Sequence, residues 1–275
     1  MRQALLAIPL AALSACEGKA GELGPDARSD ELSPCTSTVT VGTAPMRRLS
    51  HNEYRYSLTD VFAQPTLAAQ VVAQVEAFLA DTQSLGFRNG AAFLDVKPVL
   101  AQQYMDAAEA LATAATSDLS KLLPCTSSGD GSACATDFIT AFGKALYRRP
   151  LTQTEVAGYQ KVYADARAQG YDFGTGIQWV VFTFLQSPGF LYRVELDTTG
   201  DAPVRPVTPL ELASRLSFLL WQSGPDAALL EAAVGGKLET KTDVEREARR
   251  LLADLVLGGP STSSSSGWRW AGSRA

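Results

Sequence analysis

Apolar residues recur at helical spacing through most of the chain after residue 46. Segments in which they fall at i, i+3, i+4 and i+7 predict amphipathic helices. Such segments follow one another at Ser50–Ala63, Leu67–Ala80, Pro98–Ala115, Thr136–Tyr147, Thr152–Ala168, Asp172–Gln186, Thr208–Trp221, Asp226–Val234 and Thr242–Ala253. The alternating pattern that indicates strands is almost absent. The sequence therefore predicts an all-α fold of multi-helix bundle subdomains.

The two ends of the chain lack this periodicity. Residues 16–46 are rich in Gly, Pro, Ser, Thr and acidic residues, a composition typical of a flexible tether. Residues 255–275 contain a run of Ser and Thr and predict a disordered tail. A frameshift would also produce such a sequence, and under that interpretation the chain is truncated. A genuine Ser-rich tail is the alternative.

A motif of the form Arg-x-apolar-Ser/Thr-x-x-Glu recurs at three predicted helix starts. The hydroxyl at its fourth position and the glutamate at its seventh can form a capping box, in which each side chain accepts from a backbone N–H of the first turn. The predicted boxes are Ser50 with Glu53, Thr152 with Glu155, and Thr208 with Glu211. A functional interpretation would make the three arginines an anion-binding set, namely Arg47, Arg149 and Arg205. Capping explains the recurrence without a ligand, so it is preferred.

The N-terminus has the pattern of an export signal. A short apolar run follows Arg2, and Leu13, Ser14, Ala15 and Cys16 have the form of a bacterial lipoprotein processing site. Cleavage before Cys16 would remove residues 1–15 as a signal peptide, and lipid on that cysteine would attach the protein to a membrane. We expect an exported, lipid-anchored protein that faces the periplasm or the cell surface. Glu17 after the cysteine favours the outer membrane.

Export would also permit disulfides. Cys125 and Cys134 flank a turn-rich stretch and are the predicted pair, and closing so short a loop stabilises a fold by roughly 2–3 kcal/mol. Cys35 then remains, to pair elsewhere or with a part of the protein outside this chain. The other cysteines and the single histidine show no metal-ligand spacing, and no CxxCH motif for haem attachment occurs. We therefore expect no metal and no cofactor in this chain.

Composition narrows the class of protein. The chain has 275 residues, of which 46% are hydrophobic and 19% charged, enough to bury a core. Its formal net charge of -5 argues against a nucleic-acid partner, which would require a basic face. The expected partners are the membrane, through the lipid anchor, and other protein domains.

Residues at the start of each helical region resemble a known family. Residues 47–62 and 78–89 look like the first of the planctomycete-type cytochrome-associated domains of unknown function. Residues 138–152 with 187–195 resemble the second domain, and residues 210–221 with 248–254 resemble the opening of the third. The resulting division is 47–120, 134–197 and 206–254, with the third domain truncated.

The resemblance implies an exported, mostly helical protein of unassigned role, of a kind found in planctomycetes and myxobacteria. In the full-length family a later domain carries CxxCH, which implies covalent haem c and electron transfer in a full-length product. This chain stops before such a motif. The resemblance also implies cytochrome or other exported domains as partners.

Catalytic candidates are few, and no catalytic residue is assigned. His51 lies in the first turn of a predicted helix and is interpreted as facing solvent. Nucleophile and phosphate-binding motifs are missing. Asp60, Asp81 and Glu195 are carboxylates of a kind that serves as general acid and base. Two hypotheses remain: a non-catalytic helical interaction module, and a hydrolase or lyase that acts on an extracellular polymer through a carboxylate pair.

Two further expectations concern packing. We interpret two groups of residues as ties between helices, namely Arg148 with Arg149 and Arg193 with Glu195. The reason is that guanidinium groups bridge helix ends and carboxylates. In the truncated third domain, the apolar faces of the two longer helices are expected to lack their usual cover and to be exposed.

Overall fold

The computed structural model describes residues 46–83, 86, 90–195 and 206–256, with side chains up to residue 254. The processing site at Leu13 to Cys16, Cys35, Arg205 and the tail beyond residue 256 lie outside the described residues. Within the described part the α-helices are α1 His51–Phe62, α2 Pro65–Glu76, α3 Pro98–Thr116, α4 Leu119–Leu122, α5 Ser132–Tyr147, α6 Gln153–Ala168, α7 Phe173–Leu185, α8 Pro188–Leu191, α9 Pro209–Trp221, α10 Ala227–Val234 and α11 Lys241–Val256. A 3-10 turn occupies Ala91–Phe93. The predicted all-α fold is confirmed.

A single two-stranded ladder occurs among the described residues. Strand β1, Arg47–Arg48, pairs antiparallel with β2, Tyr192–Arg193, and places Arg47 opposite Arg193. The Leu49 N–H extends the contact by donating to the carbonyl of Leu191 at 2.8 Å. The ladder joins the start of the first predicted domain to the end of the second.

The first two predicted domains share one hydrophobic core. Helices α3 and α6 both pack on α7, and α1 packs on α2 and α5. The ring of Phe142 from α5 lies 5.9 Å from that of Phe62 in α1 and 5.6 Å from that of Phe184 in α7. Because these fully or almost fully buried rings come from both regions, the core belongs to neither alone.

A smaller core lies between α9, α10 and α11. Trp221 of α9 donates its indole N–H to the carbonyl of Leu251 in α11, and both side chains are buried together with Leu229. The apolar faces of α9 and α11 thus cover each other over part of their length, which corrects the expectation that they lack cover. Exposure remains at Leu219, which is 76% exposed, and at Leu252, which is 46% exposed.

Two helix bounds differ from the predicted ones by four residues, one for a tertiary reason and one for a local reason. Helix α2 ends at Glu76 instead of Ala80, because the following residues turn Phe78 and Asp81 towards α1. Helix α5 starts at Ser132 instead of Thr136. The carboxylate of Asp130 accepts from the Ser132 N–H at 2.9 Å and so stabilises the earlier start.

The structure contains a disulfide between Cys125 and Cys134, with Cα atoms 5.6 Å apart. It ties the segment after α4 to the first turn of α5. The chain therefore depends on an oxidising environment to complete this link. Within the described residues, no helix is long and apolar enough to cross a bilayer.

The double variant Cys125→Ser/Cys134→Ser is expected to lower the free energy of unfolding by about 2–3 kcal/mol, because the cross-link restricts a loop in the unfolded chain. Urea denaturation with and without reducing agent measures the change. Reduction should destabilise the parent by a similar amount and leave the variant unaffected. A parent protein with the same midpoint under both conditions would contradict the prediction.

Candidate binding cleft

The capping boxes form at the predicted positions. Ser50 Oγ accepts from the Glu53 N–H, and a carboxylate oxygen of Glu53 accepts from the Ser50 N–H at 2.8 Å. The same reciprocal bonds occur at the starts of α6 and α9, with Thr152 and Glu155, and with Thr208 and Glu211. Each box therefore fixes the first turn of its helix.

The structure also explains the arginine of the motif where that residue is described. Arg47 donates to Glu53 at 2.6 Å, and Arg149 makes two hydrogen bonds to Glu155, at 2.7 and 2.9 Å. The arginine thus holds the glutamate of its own box, and this contact lowers the pKa of Glu155 to about 2. The interpretation of the motif as a cap accounts for Arg149 fully. Arg47 has a second role, because it also lines a cleft.

That cleft has a volume of about 780 Å³ and is the candidate binding site. Its walls come from the start of α1, the segment after α2, the β1–β2 ladder and α9. The charged and polar residues of its lining include Arg47, His51, Asn52, Glu53, Glu76, Asp81, Arg193, Arg215 and Gln222. Its apolar lining consists of Val75, Phe78, Ala80, Phe218 and Leu219.

A buried arginine network holds one wall of the cleft. The guanidinium of Arg48, only 2% exposed, donates to Asp81 at 2.6 Å, to the Tyr104 hydroxyl at 2.8 Å and to the carbonyl of Leu49 at 2.7 Å. The second oxygen of Asp81 accepts from the His51 backbone N–H at 2.7 Å. The carboxylate thus accepts hydrogen bonds from the first turn of α1 and from Arg48, and its role is structural.

His51 does not face solvent, which corrects the sequence interpretation. Its ring contacts Phe78 edge-on with centroids 5.2 Å apart, and Nε2 lies 3.3 Å from an oxygen of Asp81 without a hydrogen bond of good geometry. Burial lowers the pKa of His51, while the charge of Asp81 acts in the opposite direction. The ring is covered because α2 ends early and the segment after it places Phe78 against His51.

The three carboxylate candidates have separate partners. Asp81 lines the cleft, whereas Asp60 and Glu195 do not. Asp60 accepts from the Ser223 hydroxyl at 2.5 Å, and burial raises its pKa to about 6. Glu195 accepts two hydrogen bonds from Arg215, not from Arg193 as expected, and these bonds lower its pKa. The cleft therefore contains one of the three sequence candidates, and its other carboxylates are Glu53 and Glu76.

Arg148 is a structural tie, as its position after α5 suggests. Its guanidinium donates to the carbonyls of Gly189 at 2.8 Å, Phe190 at 3.3 Å and Tyr192 at 2.7 Å, and so joins the end of α5 to the end of α8. Burial lowers its pKa to about 9. The ring of Phe218 lies 5.6 Å from this guanidinium.

Three family models match the chain, and their order is that of the three predicted regions. Residues 47–117 match PSD3, a protein of unknown function (DUF1587). Residues 134–195 match PSD5, a protein of unknown function (DUF1595), and residues 207–259 match PSD4, a protein of unknown function (DUF1592). Together the matches cover about two thirds of the chain. The chain therefore contains three domains of unknown function, PSD3, PSD5 and PSD4. No curated protein and no solved structure is significantly similar to it.

All three PSD regions contribute to the cleft. Phe78 and Asp81 come from PSD3, Arg193 from PSD5, and Arg215 and Phe218 from PSD4. Sequence reasoning missed the cleft because these residues are far apart in the chain. The one local signal is the pair of arginines before Ser50, of which the first serves the capping box and the second the buried network.

Proposed function

We propose that this protein is an exported, lipid-anchored and non-catalytic binding module, with its ligand site in the cleft where the PSD3, PSD5 and PSD4 regions meet. The cleft carries the proposal. Its volume of about 780 Å³ lies within the range of small-molecule sites, and its lining combines aromatic and aliphatic surface with a few charged groups.

The partners of the acidic residues support binding over catalysis. The carboxylate of Asp81 is held by Arg48 and by the first N–H of α1. The alternative of a hydrolase or lyase drew its carboxylate pair from Asp60, Asp81 and Glu195, and the lining of the cleft contains only Asp81 of these three. Glu53, a second carboxylate of the lining, is held by Arg47 and by the Ser50 N–H.

A ligand screen with a blocked cleft tests this role. Ala80 is an exposed residue of the lining, so Ala80→Trp should fill part of the cleft and preserve the fold. We expect at least one compound of a mixed panel of neutral and charged molecules to raise the melting temperature of the parent and not of this variant, since ligands stabilise the state that they bind.

The matched control is Val99→Trp, which adds the same side chain at a position on α3 that is 59% exposed and outside the lining. This variant should respond to ligand as the parent does. If no compound discriminates between the two tryptophan variants, the cleft is not a ligand site.

The proposed anchoring rests on the processing site, and the disulfide supports export alone. Cys16→Ser is expected to abolish labelling by radioactive palmitate and to release the protein from the membrane fraction, because the acylated thiol is absent. Cys35→Ser is the control and should remain labelled and membrane-bound. Equal labelling of the Cys16→Ser variant and the parent would refute the anchor.

The resemblance to cytochrome-associated domains supports one further element of the proposal. We propose that the module works next to a haem c domain, either in a longer product or in a partner. In cells that express the gene naturally, immunoprecipitation under denaturing conditions followed by peroxidase staining should reveal a haem-bearing band well above 29.2 kDa. A single unstained band of that mass would exclude a haem domain in the same product.

A further inference from the structure

Arg193 differs from the other arginines that line the cleft. Arg47 forms an ion pair with Glu53, and Arg215 forms one with Glu195. The guanidinium of Arg193 makes no ion pair or hydrogen bond within the part of the chain that the structure describes. It lies over the ring of Phe218, 5.0 Å from the centroid.

The described charges around Arg193 leave its own charge without a carboxylate partner. Its leading electrostatic interactions are with Arg47, Glu53, Glu195 and Arg215, and these four groups form two ion pairs among themselves. Arg148 adds a further repulsive interaction. Burial, with Arg47 as the next cause, lowers the pKa of Arg193. The guanidinium keeps its charge at neutral pH, as arginine does in proteins.

A second positive charge lies behind this wall. Arg148 hydrogen bonds only to backbone carbonyls among the described residues, so no carboxylate neutralises it directly. Its guanidinium and that of Arg193 both lie over the ring of Phe218. The two guanidinium groups therefore give this part of the cleft a positive potential that an anion would relieve.

The wall next to Arg193 is apolar. Phe218 is almost fully buried beneath the guanidinium, whereas Leu219, the next residue of α9, lines the cleft and is 76% exposed. A guanidinium whose carbon lies over an aromatic ring can still present N–H groups to a ligand, and these match the two oxygens of a carboxylate or a phosphate.

We propose that the cleft binds a small organic anion, with its carboxylate or phosphate group on the N–H edge of Arg193 and its apolar part against Phe218 and Leu219. This inference rests on the proposed function, because it names the ligand class of the same cleft. A neutral ligand would supply no partner for the charge of Arg193, which has none among the described residues.

Isothermal titration calorimetry at low ionic strength with benzoate, citrate and inorganic phosphate tests the site. We expect at least one of these anions to bind, with an affinity that falls as salt is added. Arg193→Gln should weaken binding about tenfold or more, since a charge-assisted hydrogen bond is lost. Arg149→Gln is the matched control: it removes the same charge from an ion pair outside the cleft lining, and should leave the affinity unchanged.

Leu219→Glu gives a second readout that does not depend on replacing a half-buried side chain. This exposed position can accept a charge without loss of the fold, and a carboxylate there should weaken anion binding. Failure of all three anions to bind the parent, or equal weakening by Arg193→Gln and Arg149→Gln, would overturn the anion site. If a neutral compound still stabilises Val99→Trp and not Ala80→Trp, the proposed binding module stands without the anion site. If neither the ligand screen nor the calorimetry detects binding, the proposed function is refuted as well.

Discussion

Replacing Arg48 with methionine is expected to lower the free energy of unfolding by about 3–5 kcal/mol, the largest effect of any single substitution considered for this protein. The change would leave the carboxylate of Asp81, whose side chain is only 6% exposed, without its cation. It would also remove the donor to the Tyr104 hydroxyl. Guanidinium chloride denaturation at neutral pH, followed by circular dichroism, measures the loss.

The double variant Arg48→Met/Asp81→Asn separates the two causes. Neutralising the carboxylate should recover part of the lost stability, because the buried uncompensated charge is gone. Arg149→Met is the matched control, since its ion pair with Glu155 is partly exposed to solvent and should contribute about 1 kcal/mol or less. Equal losses in Arg48→Met and Arg149→Met would show that the Arg48 network is not a main source of stability.

Asp60→Asn is expected to raise the free energy of unfolding by about 3 kcal/mol at pH 7. Burial raises the pKa of Asp60 from 3.8 to about 6, so the folded protein binds a proton that the unfolded chain has already released between these values. Stability should therefore fall as pH rises from about 4 to about 6, and remain lower above that range. An asparagine cannot ionise, and its amide can still accept from the Ser223 hydroxyl.

The pH dependence provides the measurement. Parent and variant should have similar stability near pH 4 and diverge by pH 7, whereas a packing effect would be the same at both values. Ser223→Ala is a useful companion, since losing the hydrogen bond that stabilises the carboxylate should steepen the dependence of the parent. A parent and an Asp60→Asn variant with parallel pH profiles would refute the assignment.

Much of the helical framework could be predicted because its signals are local. The start of α1 follows from Ser50 and Glu53, which satisfy backbone groups within one turn, and the structure forms that box. The end of α2 could not be predicted in this way. Its apolar spacing continues to residue 80, but Asp81 reaches Arg48, 33 residues earlier in the chain, and this tertiary contact outweighs the local preference.

The candidate site was largely beyond sequence reasoning for a related reason. Strands of two residues, such as Arg47–Arg48 and Tyr192–Arg193, have no periodicity to recognise. Without their pairing, nothing in the sequence places Arg193 beside Arg47. Arg193 and Glu195 were grouped because they are close in sequence. In the structure the carboxylate of Glu195 accepts from Arg215 on α9.

The short ladder between β1 and β2 has a consequence for biosynthesis. A ribosome releases Arg48 long before Tyr192 has been made, so the first PSD region leaves the exit tunnel without the strand and the aromatic residues that complete its core. Nascent chains in this state expose apolar surface and are bound by chaperones. Fragments cut at the domain boundary between residues 117 and 134 would remain in that condition permanently, so recombinant work on this protein should begin from pieces that extend at least to residue 195.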